Sequence, residues 1–556
     1  MSDNKKRYVF SKSRSGETVP AIVLPSGETK SLHSMIDPKR EAHRLVSEIS
    51  RDIGFFIFLG LGGGFAPEAA LELTEARIIA IDYDKDGIDE LLASGSYSKL
   101  LNSDRFSLFV DPSCDEIKKA ILENYKPALF GGIKTIPLRA RTEQNRTEFE
   151  KAFFAIQEAI ETAGSDYSVQ AHFGIRWFSN IIRNIKNINK DNNVFFENKK
   201  QIPNIAIAAA GPSLDHQIPS LKDIKEKGSF IISSDTALPS LLHNGIKPDA
   251  VVSIDCQHIS YYHFLGCGLQ NIPLILDIAS PPSFIKLSKT PVFFSSGHPL
   301  SLYIREYWQP LTQIDTSGGN VTYACLSLAE KKGAENLFIF GADFSYIDSS
   351  VYARGTYINP YFSAKQNRLS SLEAQFSAFL YRSPFLPSEN PAGGRYRETS
   401  PLRLYRKKLE EKASMMTANI AFAKGFGAPV NIRRGKENRD QNAGNEESGM
   451  RNEEWNEKRR DLKTNNNKRD RMSAVDFLEQ YRNDIAALPE AKSGDNYLGK
   501  LSLKEKHIFT TMLPFAAAIK KRKTEIKQQD LIEEVKLQCI KKIEQVLNNN
   551  KITNAQ

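Results

Sequence analysis

The chain has 556 residues, of which 40% are hydrophobic and 25% are charged, and its formal net charge is +9. This length exceeds what one hydrophobic core supports, so several domains are expected, and the composition is that of an ordinary globular protein. The modest positive charge permits acidic ligands such as nucleotides but does not require nucleic acid, which we do not expect as a partner.

The cysteines and the apolar runs indicate a reducing compartment. None of the five cysteines belongs to a CxxC pair, so neither a disulfide framework nor a structural zinc site is expected. The opening MSDNKKRYVF has no apolar h-region, which predicts the absence of a secretory signal. The strongest apolar run, Ile53–Leu61, is shorter than the ~20 residues that span a bilayer. We therefore expect a cytoplasmic protein without a membrane span.

Residues 1–200 are predicted to form an N-terminal Rossmann-like domain. The strand-like pieces YVFSKS and TVPAIVLP come first, and an apolar strand, a glycine turn and a helix follow them. Helical sequence such as Phe149–Ala163 closes the region. The order of these elements indicates an α/β domain.

The glycine turn lies in FFIFLGLGGGFAPEAALELTEARIIAIDYD. Gly60, Gly62 and Gly64 allow a sharp turn and close approach of a ligand, and Asp82 ends the next strand about 20 residues later, where a carboxylate can accept from ribose hydroxyls. This segment resembles the first motif of S-adenosylmethionine-dependent methyltransferases, although no Asn-Pro-Pro-Tyr-like motif follows it. It is either a possible second cofactor site or a scaffold that keeps the turn without the chemistry.

Residues 201–430 alternate short apolar strands with helical stretches such as ALPSLLHNG and VTYACLSLAEKKG. Strands bounded in this way predict a mostly parallel sheet covered by helices, hence a second Rossmann-like domain. The strand candidates are IPNIAIAAA, GSFIISSD, AVVSID, IPLILDIA, PVFFSS and NLFIFGAD.

The first of these strands runs directly into Gly211, Pro212 and Ser213. Gly211 can let a phosphate or base approach the backbone, Pro212 fixes the turn, and Ser213 can cap the next helix while offering a hydroxyl. Alone, this turn is a weak signal for a nucleotide site.

Aspartates follow the next strands. Asp235 and Asp255 each close an apolar strand, where ligands bind in open parallel sheets, and we predict ligand contacts for both. Asp249, which follows Pro248, is interpreted instead as a cap of a turn.

A third polar loop completes the expected crevice. The residues Thr316-Ser317-Gly318-Gly319-Asn320 open a helix, and the next strand ends near Asp343. A glycine-rich entry to a helix suits an anionic phosphate because of the helix dipole. Three such loops at one edge of one sheet predict a nucleotide site.

A basic block, RYRETSPLRLYRKK, ends the central region. Its guanidinium groups can clamp a phosphate or a carboxylate, because such planar anions accept two hydrogen bonds from one arginine. A solvated helix face is the alternative interpretation. The arginines concerned are Arg395, Arg397, Arg403 and Arg406.

Two regions follow the second Rossmann-like domain. Residues 431–471 are almost entirely polar and charged and predict a disordered linker, and residues 472–556 predict a helical domain. Ser473 can cap the first helix, and the last helix carries a stripe that is either a packing face or a partner site. Because the linker has no apolar face, we expect the Rossmann-like domains to stay folded without residues 433–556. The stripe contains Ile532, Val535, Cys539, Ile543 and Val546.

The blocks GPSL, SSDTAL and TSGG to GADFSY are similar to those of the motility accessory factor family, bacterial proteins that modify flagellin with nonulosonic acids. The third block also resembles bacterial sialyltransferases. The resemblance implies a CMP-sugar donor, transfer with inversion, and flagellin or another flagellar protein as the partner. It implies no further cofactor.

A second resemblance links NGIKPDAVVSIDCQ to archaeal 6-hydroxymethylpterin diphosphokinases and, more distantly, to thiamine pyrophosphokinases. Those enzymes carry two aspartates, two residues apart, that help hold magnesium against ATP. Here the first of the pair is Ser253 and only Asp255 remains, which weakens a magnesium site because that ion requires hard oxygen ligands.

The sequence departs from the motility accessory factors in the loop after GADFSY. Tyr352 stands where the family resemblance implies a histidine, so we predict Tyr352 as the catalytic base and Arg354 as the cation that activates it. His258 and His263 are interpreted as ordinary loop residues, because no orienting carboxylate is evident nearby in the sequence.

Three functions remain open. The first is a glycosyltransferase that moves a nonulosonic acid from a CMP-sugar to a Ser or Thr of flagellin. The second is a diphosphokinase of the pterin type that uses ATP. The third is a non-catalytic, nucleotide-binding flagellar accessory protein.

Overall fold

The computed structural model describes residues 7–49, 52–94, 97–188, 194–197, 201–269, 271–347, 350–389, 395–432, 472–493 and 496–553. The segment 433–471, which contains nearly all of the predicted disordered linker, lies outside these ranges. The chain forms two compact units, one of residues Met1–Ile175 with Arg482–Lys541 and the other of Arg176–Tyr481 with Lys542–Gln556.

The N-terminal region begins with a three-stranded antiparallel sheet, β1-β2-β3, and continues into a four-stranded parallel sheet with the order β6-β5-β4-β7. The strands are β1 Tyr8–Lys12, β2 Thr18–Val23, β3 Thr29–Ser31, β4 Ile53–Leu59, β5 Arg77–Asp82, β6 Phe106–Val110 and β7 Gly132–Pro137. The helices are α1 Pro38–Ser47, α2 Phe65–Leu73, α3 Ile88–Ala93, α4 Ser98–Leu101, α5 Cys114–Asn124, α6 Pro127–Phe130, α7 Arg139–Thr142 and α8 Arg146–Asn184.

Strand β4 shows why this sheet forms. Its sequence, IGFFIFL, is a continuous apolar run, as expected for a strand that is covered on both faces. Phe55 and Ile57 pack in one core with Phe149 of α8, whereas Phe56 and Phe58 pack in a second core on the opposite face. The period-two alternation of the strand thus supplies both layers at once.

The central region is built around a seven-stranded parallel sheet with the order β12-β11-β10-β9-β8-β13-β17. A small antiparallel sheet, β14-β16-β15, accompanies it. The strands are β8 Asn204–Ala208, β9 Phe230–Ser234, β10 Ala250–Ser253, β11 Leu274–Asp277, β12 Pro291–Phe294, β13 Asn336–Phe340, β14 Tyr346–Ile347, β15 Phe385–Glu389, β16 Arg395–Thr399 and β17 Asn419–Phe422.

The helices of the central region cover the seven-stranded sheet and lead into the small one. They are α9 Val194–Glu197, α10 Leu214–Glu226, α11 Leu238–His243, α12 Pro299–Tyr307, α13 Val321–Lys331, α14 Ile358–Ser363, α15 Leu372–Leu380 and α16 Ser400–Met415. Among the described residues, 3₁₀ segments are formed by Ile185–Asn187, His258–Phe264 and Pro282–Leu287. The predicted α/β class with two mostly parallel sheets and a C-terminal helical region is confirmed.

Four C-terminal helices, α17 Ala474–Ala486, α18 Tyr497–Lys500, α19 Leu503–Arg522 and α20 Gln528–Thr553, are integral to the compact units. In one unit Trp308 stacks on Phe477 at 4.9 Å and donates to the Met472 carbonyl at 2.9 Å. In the other unit Asn496 donates to the Asp104 carbonyl at 2.7 Å. We therefore correct the expectation that the Rossmann-like domains are independent of residues 472–556.

The stripe of the last helix is a packing face. Its members are all buried, as expected for a packing face, which was one of the two alternatives that the sequence left open. The stripe is therefore not exposed to a partner. Ser473 caps α17 as expected, because its hydroxyl accepts from the Asp476 amide at 3.1 Å.

Candidate functional site

The candidate site lies at the carboxyl edge of the seven-stranded sheet. The chain runs outward from β8 to β12 on one side of the sheet, whereas β13 and β17 lie on the other side of β8. The junction of β8 and β13 is therefore a topological switch point, where open parallel sheets bind their ligands. A cavity of about 350 Å³ opens there.

Residues that follow four different strands line this cavity. The loops after β8, β9, β10 and β13 contribute to its wall, together with the start of α13. Of the site residues predicted from the sequence, the structure brings six to the cavity, namely Gly211, Asp235, Asp255, Asn320, Asp343 and Tyr352.

The other predicted residues lie outside the cavity lining. Arg354 has a side chain that is 94% exposed, and its Nε lies 3.7 Å from the Asp215 carboxylate. Asp249, interpreted as a cap of a turn, instead accepts from the amide of Ile231 in strand β9 at 2.8 Å. The remaining residues outside the lining are Pro212, Ser213 and the four from Thr316 to Gly319.

The turn after β8 is held by side chains from distant parts of the chain. The Ser213 amide donates to Asp343 at 2.8 Å, and the Ser213 hydroxyl accepts from the Phe426 amide at 2.9 Å. Ser213 makes no side-chain cap for α10, because its hydroxyl is used by this second loop. Burial raises the pKa of Asp343, against the opposing effect of the hydrogen bonds from Ser213.

Gly211 is required for packing. Its φ lies outside the left-handed region, so the position needs glycine for space rather than for an unusual backbone conformation. A Cβ at this position would collide with the Asp343 carboxylate and the Gly341 carbonyl. The glycine therefore permits two loops of the chain to meet at the edge of the cavity.

Helix α13 begins at the cavity. Asn320 is its N-cap and accepts from the Tyr323 amide at 3.0 Å, and Gly319 has a φ of +74° that only glycine adopts readily. Val321 and Thr322, the first two helical residues, line the cavity with Asn320. Their amide groups and the positive end of the helix dipole suit a phosphate.

Asp235 is the most connected acid of the site. Its carboxylate accepts from the Ser253 hydroxyl at 2.7 Å and from the Thr236 amide at 2.7 Å, and it lies 3.4 Å from His263 Nδ1. Burial favours the neutral acid, but the neighbouring His263 imidazole and these hydrogen bonds outweigh burial and lower the pKa of Asp235. Asp235 is accordingly a carboxylate at neutral pH.

His263 is the residue that the sequence interpretation missed. It lies on the 3₁₀ segment His258–Phe264, lines the cavity and packs on the Tyr357 ring at 4.3 Å between centroids. Because Asp235 faces Nδ1, we assign the proton to Nδ1, which leaves the Nε2 lone pair as an acceptor. The sequence separation of His263 from Asp235 hid this pair.

Tyr352 and Asp255 occupy more restricted positions. Burial and the neighbouring Tyr357 and Tyr346 raise the pKa of Tyr352 above its ordinary value, and the cation that opposes this shift is Arg382 rather than Arg354. The Asp255 carboxylate accepts from the Gln257 amide at 2.9 Å and from the Ser260 hydroxyl at 2.8 Å. Both residues reach the cavity, but the raised pKa of Tyr352 disfavours a phenolate, and the Asp255 carboxylate is engaged by two donors of its own loop.

Arg382 is a second residue that the sequence did not single out. It is exposed, lines the cavity and forms no ion pair with any described residue. By contrast, Arg403 and Arg406 of the predicted arginine clamp pair with the buried Glu398 at 2.7 and 2.9 Å. Their charge is compensated by carboxylates of the chain, whereas the Arg382 guanidinium lies over the Phe379 ring at 3.9 Å.

The described ranges contain no group of three His, Cys, Asp or Glu side chains placed to hold a metal ion. Ser253, at the position of the missing carboxylate of the diphosphokinases, donates to Asp235 instead.

Side chains of the same domain pack against the glycine turn of the N-terminal domain. Gly60, Gly62 and Gly64 all have positive φ, as a sharp turn requires. A Cβ at Gly60 would meet Arg141 at 2.8 Å, and a Cβ at Gly62 would meet His33 at 2.6 Å. These side chains therefore pack directly against the turn, and a cavity of about 410 Å³ lined by His33, Ala66 and Leu138 lies beside it.

Asp82 is also engaged internally. Its carboxylate accepts from the Leu61 amide at 2.8 Å and pairs with Arg141 at 2.7 Å, and both charged side chains are fully buried. His33 accepts from the Gly63 amide at 2.7 Å, and burial lowers its pKa to about 4. The Asp82 carboxylate and the Gly63 amide are therefore engaged by groups of the chain itself.

Comparison with known proteins supports the α/β interpretation. Residues 179–349 match the family described as 6-hydroxymethylpterin diphosphokinase MptE-like. Two relatives are uncharacterized proteins of Treponema pallidum (strain Nichols), 33% identical over 144 residues and 31% identical over 147 residues. Each match covers 25% of this chain, and the chain spans 51% and 66% of the two relatives.

The fold is similar to that of the MAf glycosyltransferase from Magnetospirillum magneticum AMB-1. The TM-score is 0.56 at 14% sequence identity, over 98% of this chain and 92% of that one. The predicted resemblance to the motility accessory factor family is confirmed at the level of the fold. None of the helices in the described ranges combines the length and hydropathy that crossing a bilayer requires.

Proposed function

We propose that the protein is a glycosyltransferase that moves a nonulosonic acid from a CMP-sugar to a serine or threonine hydroxyl of flagellin or another flagellar protein. The similar fold supports the transferase class, and the resemblance of the motif blocks suggests the donor and the acceptor. The proposal depends on one observation, a cavity that contains both the start of α13 and the His263–Asp235 pair.

The donor phosphate is expected at the start of α13. The amide groups of Val321 and Thr322 and the exposed Arg382, which forms no ion pair with a described residue, supply positive potential on the cavity wall. The volume of about 350 Å³ is within the range of sites for small ligands. These groups also stabilise the CMP leaving group, so we expect transfer to need no metal or other cofactor.

His263 takes the role that the sequence assigned to Tyr352. The acceptor hydroxyl forms a bond to the anomeric carbon while the bond from that carbon to the CMP phosphate oxygen breaks, and the electron pair leaves with CMP. Nε2 of His263 accepts the hydroxyl proton, and Asp235 stabilises the resulting imidazolium. Attack from the face opposite the phosphate inverts the anomeric carbon.

A transfer assay with a CMP-nonulosonate and purified flagellin tests this function. His263→Gln should lower the rate by roughly 100- to 10,000-fold, the usual contribution of a positioned acid–base group, while CMP affinity by calorimetry changes little. His258→Gln, on the same 3₁₀ segment but outside the cavity lining, is the matched control. Tyr352→Phe should transfer sugar at nearly the native rate.

Two outcomes would redirect the proposal. Nucleotide binding should survive EDTA and favour CMP over ATP; loss of binding in EDTA with recovery in magnesium would favour the diphosphokinase. A native protein that binds CMP and flagellin but transfers no CMP-nonulosonate would favour the non-catalytic accessory protein.

A further inference from the structure

A basic groove lies apart from the candidate active site. It consists of two adjoining cavities of about 430 and 310 Å³, both lined by Arg183. The end of α8, the 3₁₀ segment Pro282–Leu287 and helix α20 form its walls. No residue that lines the cavity at the start of α13 lines this groove, so the two are separate sites of one compact unit.

The groove gathers positive charge without compensation. Arg183, Lys186, Lys286 and Lys542 line it, and none of its described lining residues is acidic. None of these four cations forms an ion pair with another described residue. Lys412 shows the more usual arrangement, because it pairs with Glu330 at 2.8 Å.

The helix dipole accounts for only a small part of this charge. Basic residues are favoured at the end of a helix, where the C-terminus of α8 carries about half a negative charge. Four cations exceed that charge several times over. The excess indicates an anionic ligand rather than a helix cap.

A buried hydroxyl gives a second, independent indication. Ser283 lines the groove, and its Oγ is buried without a hydrogen-bond partner in the structure. Buried hydroxyls are normally hydrogen-bonded, because an unsatisfied one destabilises the fold. A rotation of this side chain towards the groove would let its hydroxyl donate to an oxygen of a bound anion.

We propose that the groove binds a ligand with two phosphate groups. Lysines act as point charges for phosphate, arginine adds a two-pronged donor, and a serine hydroxyl binds a further phosphate oxygen. Two adjoining cavities provide room for more than one tetrahedral anion. The phosphates come either from a soluble diphosphate or from the headgroups of anionic lipids.

The experiment uses the full chain and two probes. Inorganic pyrophosphate is titrated by calorimetry at constant ionic strength, and vesicles of phosphatidylglycerol are compared with vesicles of phosphatidylcholine by flotation. Binding of pyrophosphate alone identifies a soluble ligand, and selective binding of the anionic vesicles identifies a lipid surface. Either result supports the site only if the groove variant loses it.

The groove variant is Arg183→Gln with Lys286→Gln, which should weaken binding at least tenfold. The control, Lys222→Gln with Lys227→Gln, removes the same charge from exposed positions elsewhere in the unit. Ser283→Ala should weaken binding about tenfold, because a hydrogen bond to an anion is lost. The proposal fails if neither probe binds, or if the groove variant binds as tightly as the control.

Discussion

The two Rossmann-like domains carry the same local signal and use it differently. Both place a glycine-containing turn at the carboxyl edge of a parallel sheet, directly after a buried strand. In the N-terminal domain, Arg141, Leu138 and His33 pack directly against the glycines of the turn. In the central domain, the corresponding edge borders an open cavity of about 350 Å³.

This difference shows that a glycine turn predicts the backbone geometry at the edge of the sheet but does not by itself predict ligand binding. The acid after the second strand shows the same divergence. Asp82 is neutralised by a buried arginine of the chain, whereas Asp235 lies beside a histidine that lines a cavity. The residues that decide the outcome come from distant segments, so a local motif cannot distinguish the two cases.

The largest expected effect is on the stability of the N-terminal domain. Arg141→Met leaves the Asp82 carboxylate buried without its partner, which should lower the free energy of unfolding by about 3–5 kcal/mol in urea denaturation. Arg139→Met, at an exposed neighbouring position, is the control. Calorimetry should detect no S-adenosylmethionine binding to the native chain; binding would reopen the second cofactor site.

The pH dependence of stability gives the next largest effect. The pKa of His33 is about 4 in the folded state against 6.5 for an ordinary histidine, so the unfolded chain binds the extra proton first. The contribution of His33 to the free energy of unfolding should be fully present above about pH 6.5. It should decline towards pH 4, by up to roughly 3 kcal/mol. Chemical denaturation at several pH values measures this decline.

His33→Gln should flatten that dependence, since an amide oxygen can still accept from the Gly63 amide. His43→Gln, which removes a partly exposed histidine on α1, should retain the dependence. An unchanged pH profile in the His33 variant would mean that other groups cause the acid sensitivity.

The smallest effect is expected from a substitution of Arg354, in the central domain. Its side chain is exposed and its contact to Asp215 is 3.7 Å long, so Arg354→Ala should change unfolding free energy by less than about 1 kcal/mol. Sugar transfer should stay within about threefold of the native rate. A hundredfold loss would show that the guanidinium reaches the substrate and would restore its predicted catalytic role.

The strands of the central sheet were predictable because each is a short apolar run between polar turns. All six strand candidates contain an observed strand, and the loops that follow four of them do meet at one cavity. The seventh strand, β17, was not distinguished, since NIAF is short and lies at the edge of the sheet. Periodicity therefore predicted the scaffold of the site well.

Contacts between residues that are far apart in the chain could not be predicted from the sequence. His263 and Asp235 are 28 positions apart, and nothing local marks them as neighbours. The pairing of Arg403 and Arg406 with Glu398 was within reach, because the three residues lie in one short segment at the start of α16. The role of the C-terminal helices also depended on contacts that no local pattern encodes.

The order of the central sheet has a consequence for biosynthesis. Strands β8 and β13 are neighbours, but the hydrogen bond from Asn336 to Asn204 joins residues 132 positions apart. At 5–20 residues per second, a ribosome needs roughly 7–26 s to supply the second strand after the first. During that interval one edge of β8 is open to pairing with another chain. Efficient production of this protein should therefore depend on a low concentration of nascent chains or on a chaperone that shields that edge.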